Sequence, residues 1–162
     1  MESDSAAKLR KRRVMRWKDA RVLVEEAGIL LAGMHPTMVE QAELGDGTIV
    51  FMIDGTLLLA RAGDTLFPTM KCPCVDGLPS VVVDMGAVPY VCNGADVMAP
   101  GVVDVRGDFQ EGSLVVVRDV KHGKALAIGE ALVSSGEIKT SGRGKAVRNL
   151  HYVGDRLWSA YG

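Results

Sequence analysis

The sequence predicts an α+β protein in two parts, a small α/β layer over residues 1–77 and a β-barrel over residues 78–162. Three observations favour this division. A helical apolar stripe near the N-terminus is followed by two apolar runs joined by Asp54-Gly55. Proline and glycine then concentrate at Val75–Pro79, which is typical of a boundary. Beyond that point, short apolar runs alternate with glycine turns, as in small barrels.

The first predicted element is a helix over roughly residues 15–27. Its apolar side chains recur at spacings of three, four and three, at Trp17, Ala20, Val24 and Ala27. Gly28 is suited to end the helix, because glycine tolerates the left-handed conformation of a C-cap. The stripe predicts that Trp17 belongs to the core and is not a base-stacking platform.

The next predicted elements are strands. Residues 37–44 mix apolar and acidic side chains and are interpreted as a strand. Thr48–Ile53 and Thr56–Arg61 are apolar runs separated by two residues, Asp54-Gly55. Because both residues of such a turn must reach positive φ, an Asp-Gly link predicts a β-hairpin.

The second part is interpreted as a closed barrel of short strands, which leaves no exposed sheet edge. The predicted strands are Val81–Asp84, Asp96–Ala99, Ser113–Asp119, Ala125–Ser134 and Leu150–Val153, and Arg156–Tyr161 closes the chain. Asp84–Gly101 is the most distinctive stretch, with three glycines and two prolines. It predicts a strand, a short helix ending at Asn93-Gly94, and a second strand broken at Ala99–Gly101. The loop between helix and strand is built of small residues, so a partner backbone can approach it closely.

Composition restricts the function classes. The chain has 162 residues, a formal net charge of −1 and three cysteines, Cys72, Cys74 and Cys92. An odd number of cysteines does not indicate a disulfide framework, and no apolar run approaches the roughly 20 residues of a membrane span. We therefore expect a cytoplasmic protein that is not bound to a membrane. Its charge is uneven, since Lys8–Arg21 holds eight basic residues and one acid.

The second half resembles the PUA domain, a small RNA-binding pseudobarrel found in pseudouridine synthases and archaeosine transglycosylases. The resemblance is carried by V-V-V-D-M-G-A-V-P-Y-V-C-N-G-A-D-V-M-A-P-G-V, E-G-S-L-V-V-V-R-D, A-I-G-E-A and G-R-G-K-A-V-R-N-L-H-Y-V-G-D-R-L-W, across residues 80–162. With the Asp-Gly hairpin and L-F-P-T before it, the whole chain resembles the malignant-T-cell-amplified-sequence family, which also includes the N-terminal part of ligatin and small archaeal proteins. That family pairs a pre-PUA domain with a PUA domain.

The resemblance implies a role in translation. Eukaryotic members of the family act with density-regulated protein on the small ribosomal subunit, where they handle deacylated tRNA and reinitiation. For this chain it implies RNA, either tRNA or rRNA, as the ligand, the small subunit and a translation-factor protein as partners, and a strand over Ala7–Arg13. No cofactor is implied.

The candidate RNA-binding residues form two groups. By resemblance, the first is the loop of Gly94, Ala95, Asp96, Val97, Met98, Ala99, Pro100 and Gly101. Backbone N–H groups near Gly94 and Ala95 are expected to donate to phosphates or base edges. The second group is the basic cluster Lys139, Arg143, Lys145 and Arg148, interpreted as a flexible loop that follows a phosphate backbone. The alternative for both is purely structural, with tight turns in one case and a solvated loop in the other.

A third candidate contact with RNA or the ribosome is the N-terminal cluster of Lys8, Arg10, Arg12 and Arg16. Its alternative is a solvated face, with Arg10 and Arg12 alternating outward on a strand. His151 can be imagined at the RNA, but a buried, hydrogen-bonded histidine is the favoured interpretation.

No catalytic or metal site is predicted. Cys72, Cys74 and Cys92 lack the fourth ligand that structural zinc needs, and no nucleophile or phosphate-loop motif is present in the sequence. Three functions remain open: an RNA-binding adaptor in translation, an RNA-guiding subunit for a modification or rRNA-processing enzyme, and a protein-interaction module whose barrel no longer binds RNA.

Overall fold

The structure is a computed structural model that describes residues 8–161. It is an α+β protein, as predicted, and sheets dominate it. The chain divides into two compact units: one comprises the chain up to Asp76 together with the residues from Arg156 onward, and the other is Gly77–Asp155. None of the helices within the described residues is long and apolar enough to cross a membrane.

The first unit is built on a five-stranded antiparallel meander. Its strands are β1 (Arg10–Val14), β2 (Val39–Glu43), β3 (Ile49–Ile53), β4 (Thr56–Ala62) and β5 (Thr65–Pro68), paired in chain order. The predicted hairpin is confirmed, because Asp54 and Gly55 both have positive φ, at 49° and 90°. The predicted strand Ala7–Arg13 starts outside the described residues, and its remainder is confirmed as β1.

The predicted first helix is confirmed as α1 (Trp17–Ala27), which ends at Gly28. The prediction for Trp17 was wrong: its side chain is 56% exposed. The buried stripe runs through Ala20, Leu23 and Ala27, so its centre is rotated away from Trp17. Glu26, on the far side of the helix, binds the Arg61 guanidinium at 2.7 Å and ties α1 to β4.

The second unit is a six-stranded curled sheet in the order β7-β11-β10-β9-β6-β8. The strands are β6 (Ser80–Val83), β7 (Val97–Met98), β8 (Val102–Arg106), β9 (Leu114–Asp119), β10 (Ala125–Ala131) and β11 (Lys145–Tyr152), and the helices are α2 (Val88–Val91) and α3 (Ser135–Ser141). All strand pairs are antiparallel except β6 with β9. Its core is mostly valine and alanine, and Val81, Val115 and Val147 are fully buried.

The predicted pseudobarrel is confirmed as this curled sheet, but the expectation that the sheet closes was wrong, because β7 and β8 remain as edges. Arg156–Tyr161, which was predicted only to close the chain, is a helix, α4, and it groups with the first unit. The basic cluster is not one flexible loop, because α3 contains Lys139, and β11 starts at Lys145, five residues before the predicted strand.

Candidate nucleic-acid interface

The loop after α2 is shaped by Gly94, whose φ is +94°. The ring of Tyr152 lies against this glycine, and a Cβ placed there would come within 3.1 Å of Tyr152 Cε1. Both the backbone conformation and the contact therefore require glycine.

The expected backbone donors of this loop are already used. Gly94 N donates to Val91 O at 3.1 Å, and Ala95 N donates to Tyr90 O at 3.0 Å. These bonds complete the C-terminal turn of α2, so the expectation that these N–H groups face a ligand was wrong. Hydrogen bonds from this loop to a ligand are therefore left to side chains and to other backbone groups.

Asp96 fastens the loop to β11. Its Oδ1 accepts the backbone N–H of Asn149 at 2.9 Å, and its Oδ2 lies 3.1 Å from Lys145 Nζ. The Asn149 side chain completes the connection by donating to Val91 O and Ala95 O, both at 3.1 Å. The Asn149 N–H first, and the Lys145 ammonium second, hold the pKa of Asp96 below its ordinary value despite partial burial.

A β-bulge in β11 sets the direction of the cations. Lys145 pairs with Met98 while Val147 pairs with Val97, so two residues of β11 oppose one of β7. Ala146 and Val147 are both fully buried, and Lys145 and Arg148 are both exposed on the outer face. In a strand of regular alternation, two residues three positions apart point to opposite faces, so the bulge is what allows both cations to face outward.

A groove of about 390 Å³ opens between α2, the loop and β7. Its lining is Ala87, Tyr90, Val91, Ala95, Asp96, Val97, Met98, Gly101 and Lys145. Tyr90 is 70% exposed and Met98 is 47% exposed, although both are large apolar side chains. The groove therefore combines an accessible aromatic ring, an apolar floor and a cation.

Sequence reasoning missed Tyr90. A signal for it was present, because Val88, Val91 and Cys92 fall at i, i+3 and i+4 and pack on the core of this unit. A short helix with that inward face must point Tyr90 outward.

The structure brings only part of the predicted basic cluster to this groove. Lys145 lines it, whereas Arg148 lies further along β11 and contacts Glu130 at 3.3 Å. Arg143 is exposed in the short connection between α3 and β11. Lys139 lies on another depression of about 500 Å³, which runs between β8 and α3 and also reaches Ala99 and Pro100. The turn at Ala99–Gly101 separates the two depressions.

The N-terminal candidates lie on the first unit. Arg12 donates two hydrogen bonds to Glu40, at 3.1 and 2.9 Å, so its charge is compensated. Arg10 and Arg16 are exposed, and neither forms an ion pair with another residue in the range 8–161; Lys8 is also exposed. Arg10 and Arg12 are both exposed on β1, as the solvated-face alternative predicted, but so are the other residues of this strand, which carries a bulge between Arg10 and Arg13.

The remaining polar candidates are structural. His151 is fully buried with its Nδ1 2.8 Å from Asp155 Oδ2, as predicted. Cys72 is buried and its Sγ donates to Leu30 O at 3.2 Å. Within residues 8–161, no three His, Cys, Asp or Glu side chains come together to hold a metal ion.

Comparison with known proteins points to one family. The PUA domain family matches residues 79–153. Translation machinery-associated protein 20 of Saccharomyces cerevisiae is 30% identical, over 76% of this chain and 72% of its own length. Malignant T-cell-amplified sequence 1-B of Xenopus laevis is 31% identical, over 67% of this chain and 64% of its own length. An uncharacterised protein of Methanocaldococcus jannaschii is 34% identical, over 95% of this chain and 99% of its own.

Solved structures agree. A hypothetical protein from Pyrococcus horikoshii is similar with a TM-score of 0.78 and 31% identity, covering 93% of this chain and 99% of that one. A PUA domain protein from Aeropyrum pernix also has a TM-score of 0.78, at 28% identity, covering 93% of this chain and 90% of its own.

Proposed function

We propose that this chain, which belongs to the family of translation machinery-associated protein 20 and malignant T-cell-amplified sequence 1, is a non-catalytic protein of the cytoplasm that binds tRNA or small-subunit rRNA during translation. The observation that carries the proposal is the groove beside α2, which is lined by the exposed ring of Tyr90, by apolar side chains and by Lys145. The candidate loop 94–101 supplies one wall of this groove.

In this proposal the Tyr90 ring stacks on an unpaired base. Protein recognition of RNA favours bases that are splayed out of a helix and stacked on an aromatic side chain. Stacking of this kind contributes about 1–3 kcal/mol per base. The groove volume of about 390 Å³ falls within the range of small-ligand pockets, so a base with part of its sugar is a reasonable occupant.

We assign the binding of RNA phosphates to the outward cations of β11 and of the loop that precedes it. Lys145 lines the groove. Arg148 adds positive charge further along β11, and Arg143 adds it in the connection that precedes β11. Lys145 and Arg148 are held by Asp96 and Glu130 at 3.1 and 3.3 Å, which orders their side chains before a phosphate arrives. A phosphate then competes with a carboxylate for each cation, so we expect binding of moderate strength that falls with salt.

Replacement of the Tyr90 ring tests the groove. We expect Tyr90→Ala to weaken binding of deacylated tRNA or of small-subunit rRNA fragments about tenfold, because stacking is lost. Tyr90→Phe keeps the ring and is expected to bind within about threefold of the wild type. Val120→Ala removes an exposed apolar side chain away from the groove and serves as the matched control.

Filter binding at two salt concentrations gives the readout. Equal affinities for Tyr90→Ala and the wild type would remove Tyr90 from the RNA site. Crosslinking in cells, followed by sequencing of the bound RNA, identifies the ligand. Reads at the tRNA acceptor end or in small-subunit rRNA support the translation role, whereas recovery of a modification enzyme with its guide RNA would replace it.

A further inference from the structure

Large apolar side chains are exposed where β1 leads into α1. Val14 is 60% and Trp17 56% exposed. Only two residues separate Val14 from Trp17, so their Cα atoms lie within about 11 Å of each other. Trp17 is the larger of these side chains, and a solvent-exposed indole on a well-formed helix has no role in the core of this unit.

Positive charge surrounds this indole. Arg21 lies one helical turn after Trp17, and Arg16 and Lys18 flank it in the chain. All three are exposed, and none of them forms an ion pair with another residue in the range 8–161. Arg13 adds a fourth cation, and within residues 8–161 its side-chain partner is the neutral Gln41, at 3.5 Å.

Acidic charge is mostly kept on the other side of α1. At 100° per residue, Arg21 lies about 40° around the helix axis from Trp17, whereas Asp19 and Glu26 lie about 180–200° from it. Glu26 is further engaged by Arg61 at 2.7 Å. The acidic neighbour on the Trp17 side is Glu25, one turn after Arg21. The helix therefore presents one flank in which Trp17 and Arg21 share a face, Arg16 and Lys18 border it about 100° to either side, and Glu25 is its acid.

We infer that this flank, formed by Arg13, Arg16, Trp17, Lys18 and Arg21, is a second RNA-binding surface, in which Trp17 stacks on an unpaired base and the cations bind the adjoining phosphates. The inference rests on the proposed function for the class of ligand, since RNA is the partner in both. It differs in place, because the flank belongs to the first unit and uses none of the groove residues.

Charge is the reason for choosing RNA as the occupant. Four cations and one indole lie within nine consecutive residues, and each cation that binds a phosphate releases counterions condensed on the RNA, which adds affinity. Arginine and tryptophan both stack on bases, and a base has an aromatic face whatever its identity. The surface is expected to bind single-stranded RNA with little sequence preference.

The test uses the full chain and a single-stranded RNA of about 15 nucleotides, a length within the range of known single-strand sites. Trp17→Ala, Trp17→Phe and Tyr90→Ala are compared with the Trp17→Ala, Tyr90→Ala double variant. The chain has two tryptophans, Trp17 and Trp158. A Trp158→Phe background therefore makes Trp17 emission a direct reporter of stacking.

We expect Trp17→Ala to weaken RNA binding about tenfold in both the wild-type and the Tyr90→Ala background, and Trp17→Phe to weaken it by less than about threefold. RNA should quench Trp17 emission. Arg21→Glu should lower the affinity and reduce its dependence on salt, and it provides a second variant at an exposed position.

The outcomes separate the two sites. Loss of binding on changing Trp17 but not Tyr90 removes the groove assignment and supports this surface. Loss on changing Tyr90 alone, with unquenched Trp17 emission, overturns the inference and leaves the proposed function in place. Normal RNA binding by Trp17→Ala together with loss of a protein partner would also overturn it.

Discussion

The carboxylate of Asp96 accepts the backbone N–H of Asn149 at 2.9 Å, and this bond joins the loop after α2 to β11 across 53 residues of sequence. The groove depends on it, because the loop supplies one wall and Lys145 of β11 supplies the cation. The stability of this junction is therefore the first property to test.

Asp96→Asn is expected to lower the free energy of unfolding by about 1 kcal/mol at pH 7, because a charged acceptor is replaced by a neutral one. The folded pKa of Asp96 is lowered by the Asn149 N–H and by Lys145. Its contribution is thus fully present above its unfolded pKa, near 4, and is lost as pH falls through the folded pKa. Urea unfolding at pH 7 and pH 3 checks this.

The difference in free energy of unfolding between Asp96→Asn and the wild type should be smaller at pH 3 than at pH 7. Asp108→Asn, at an exposed carboxylate, controls for the general effect of removing one negative charge. A stability gap that is equal at both pH values would mean that the Asp96 charge does not contribute.

Gly94→Ala is expected to destabilise the protein by about 1–3 kcal/mol, since φ is +94° and the new Cβ meets the Tyr152 ring at 3.1 Å. Gly112→Ala is the matched control, with φ of +90° and open space around the Cβ position. The difference between their thermal unfolding midpoints isolates the contact with Tyr152, and equal midpoints would show that the ring moves away freely.

Gly129→Ala is expected to be among the most damaging glycine changes, at about 2–3 kcal/mol. A Cβ on Gly129 would lie 2.8 Å from the backbone oxygen of Arg148 and would also meet the Val147 side chain, so β10 and β11 must separate locally. Gly136→Ala, in α3, has room for its Cβ and should be neutral or stabilising. Denaturant unfolding midpoints of the two variants provide the comparison.

The triple variant Arg143→Ala, Lys145→Ala, Arg148→Ala tests the cations of β11 and its approach. Removal of one cation that binds a phosphate should reduce the salt dependence of binding, by about 0.7 in the slope of log K against log salt for a single strand. The expected reduction for the triple variant is therefore up to about 2. Filter binding from low to high salt measures it, with Arg106→Ala, Lys121→Ala, Lys124→Ala as the control of equal charge. Superimposable curves for the triple variant and the wild type would remove these residues from the RNA site.

Local signals account for what was predicted correctly. Asp54-Gly55 predicted the hairpin because few residue pairs tolerate two positive φ angles, and Gly28 marked the end of α1. The motifs from V-V-V-D to N-L-H-Y identified the family, which the matches to translation machinery-associated protein 20 and the PUA domain confirm.

The incorrect predictions arise partly from local patterns that were overlooked or ambiguous and partly from non-local effects. The helix α3 was overlooked although Ser134 and Glu137 form its capping pattern, with Glu137 N donating to Ser134 Oγ at 3.3 Å. Trp17 was placed in the core because a spacing of three, four and three does not define where a stripe is centred; Leu23 moved the centre. The other incorrect predictions concern contacts between distant parts of the chain. The residues of one strand do not indicate whether the sheet closes, and the loop sequence does not indicate that the N–H groups of Gly94 and Ala95 bond to carbonyls of α2.

The bulge in β11 has a consequence for sequence change along this strand. Lys145 and Arg148 are three positions apart and share one face because the strand bulges between them. Deletion of Ala146 would remove the bulge and leave Lys145, Val147 and Arg148 in regular alternation, with both cations outward and Val147 inward. A one-residue insertion or deletion at this point therefore changes how β11 pairs with β7, whereas exchange of either cation leaves the pairing intact.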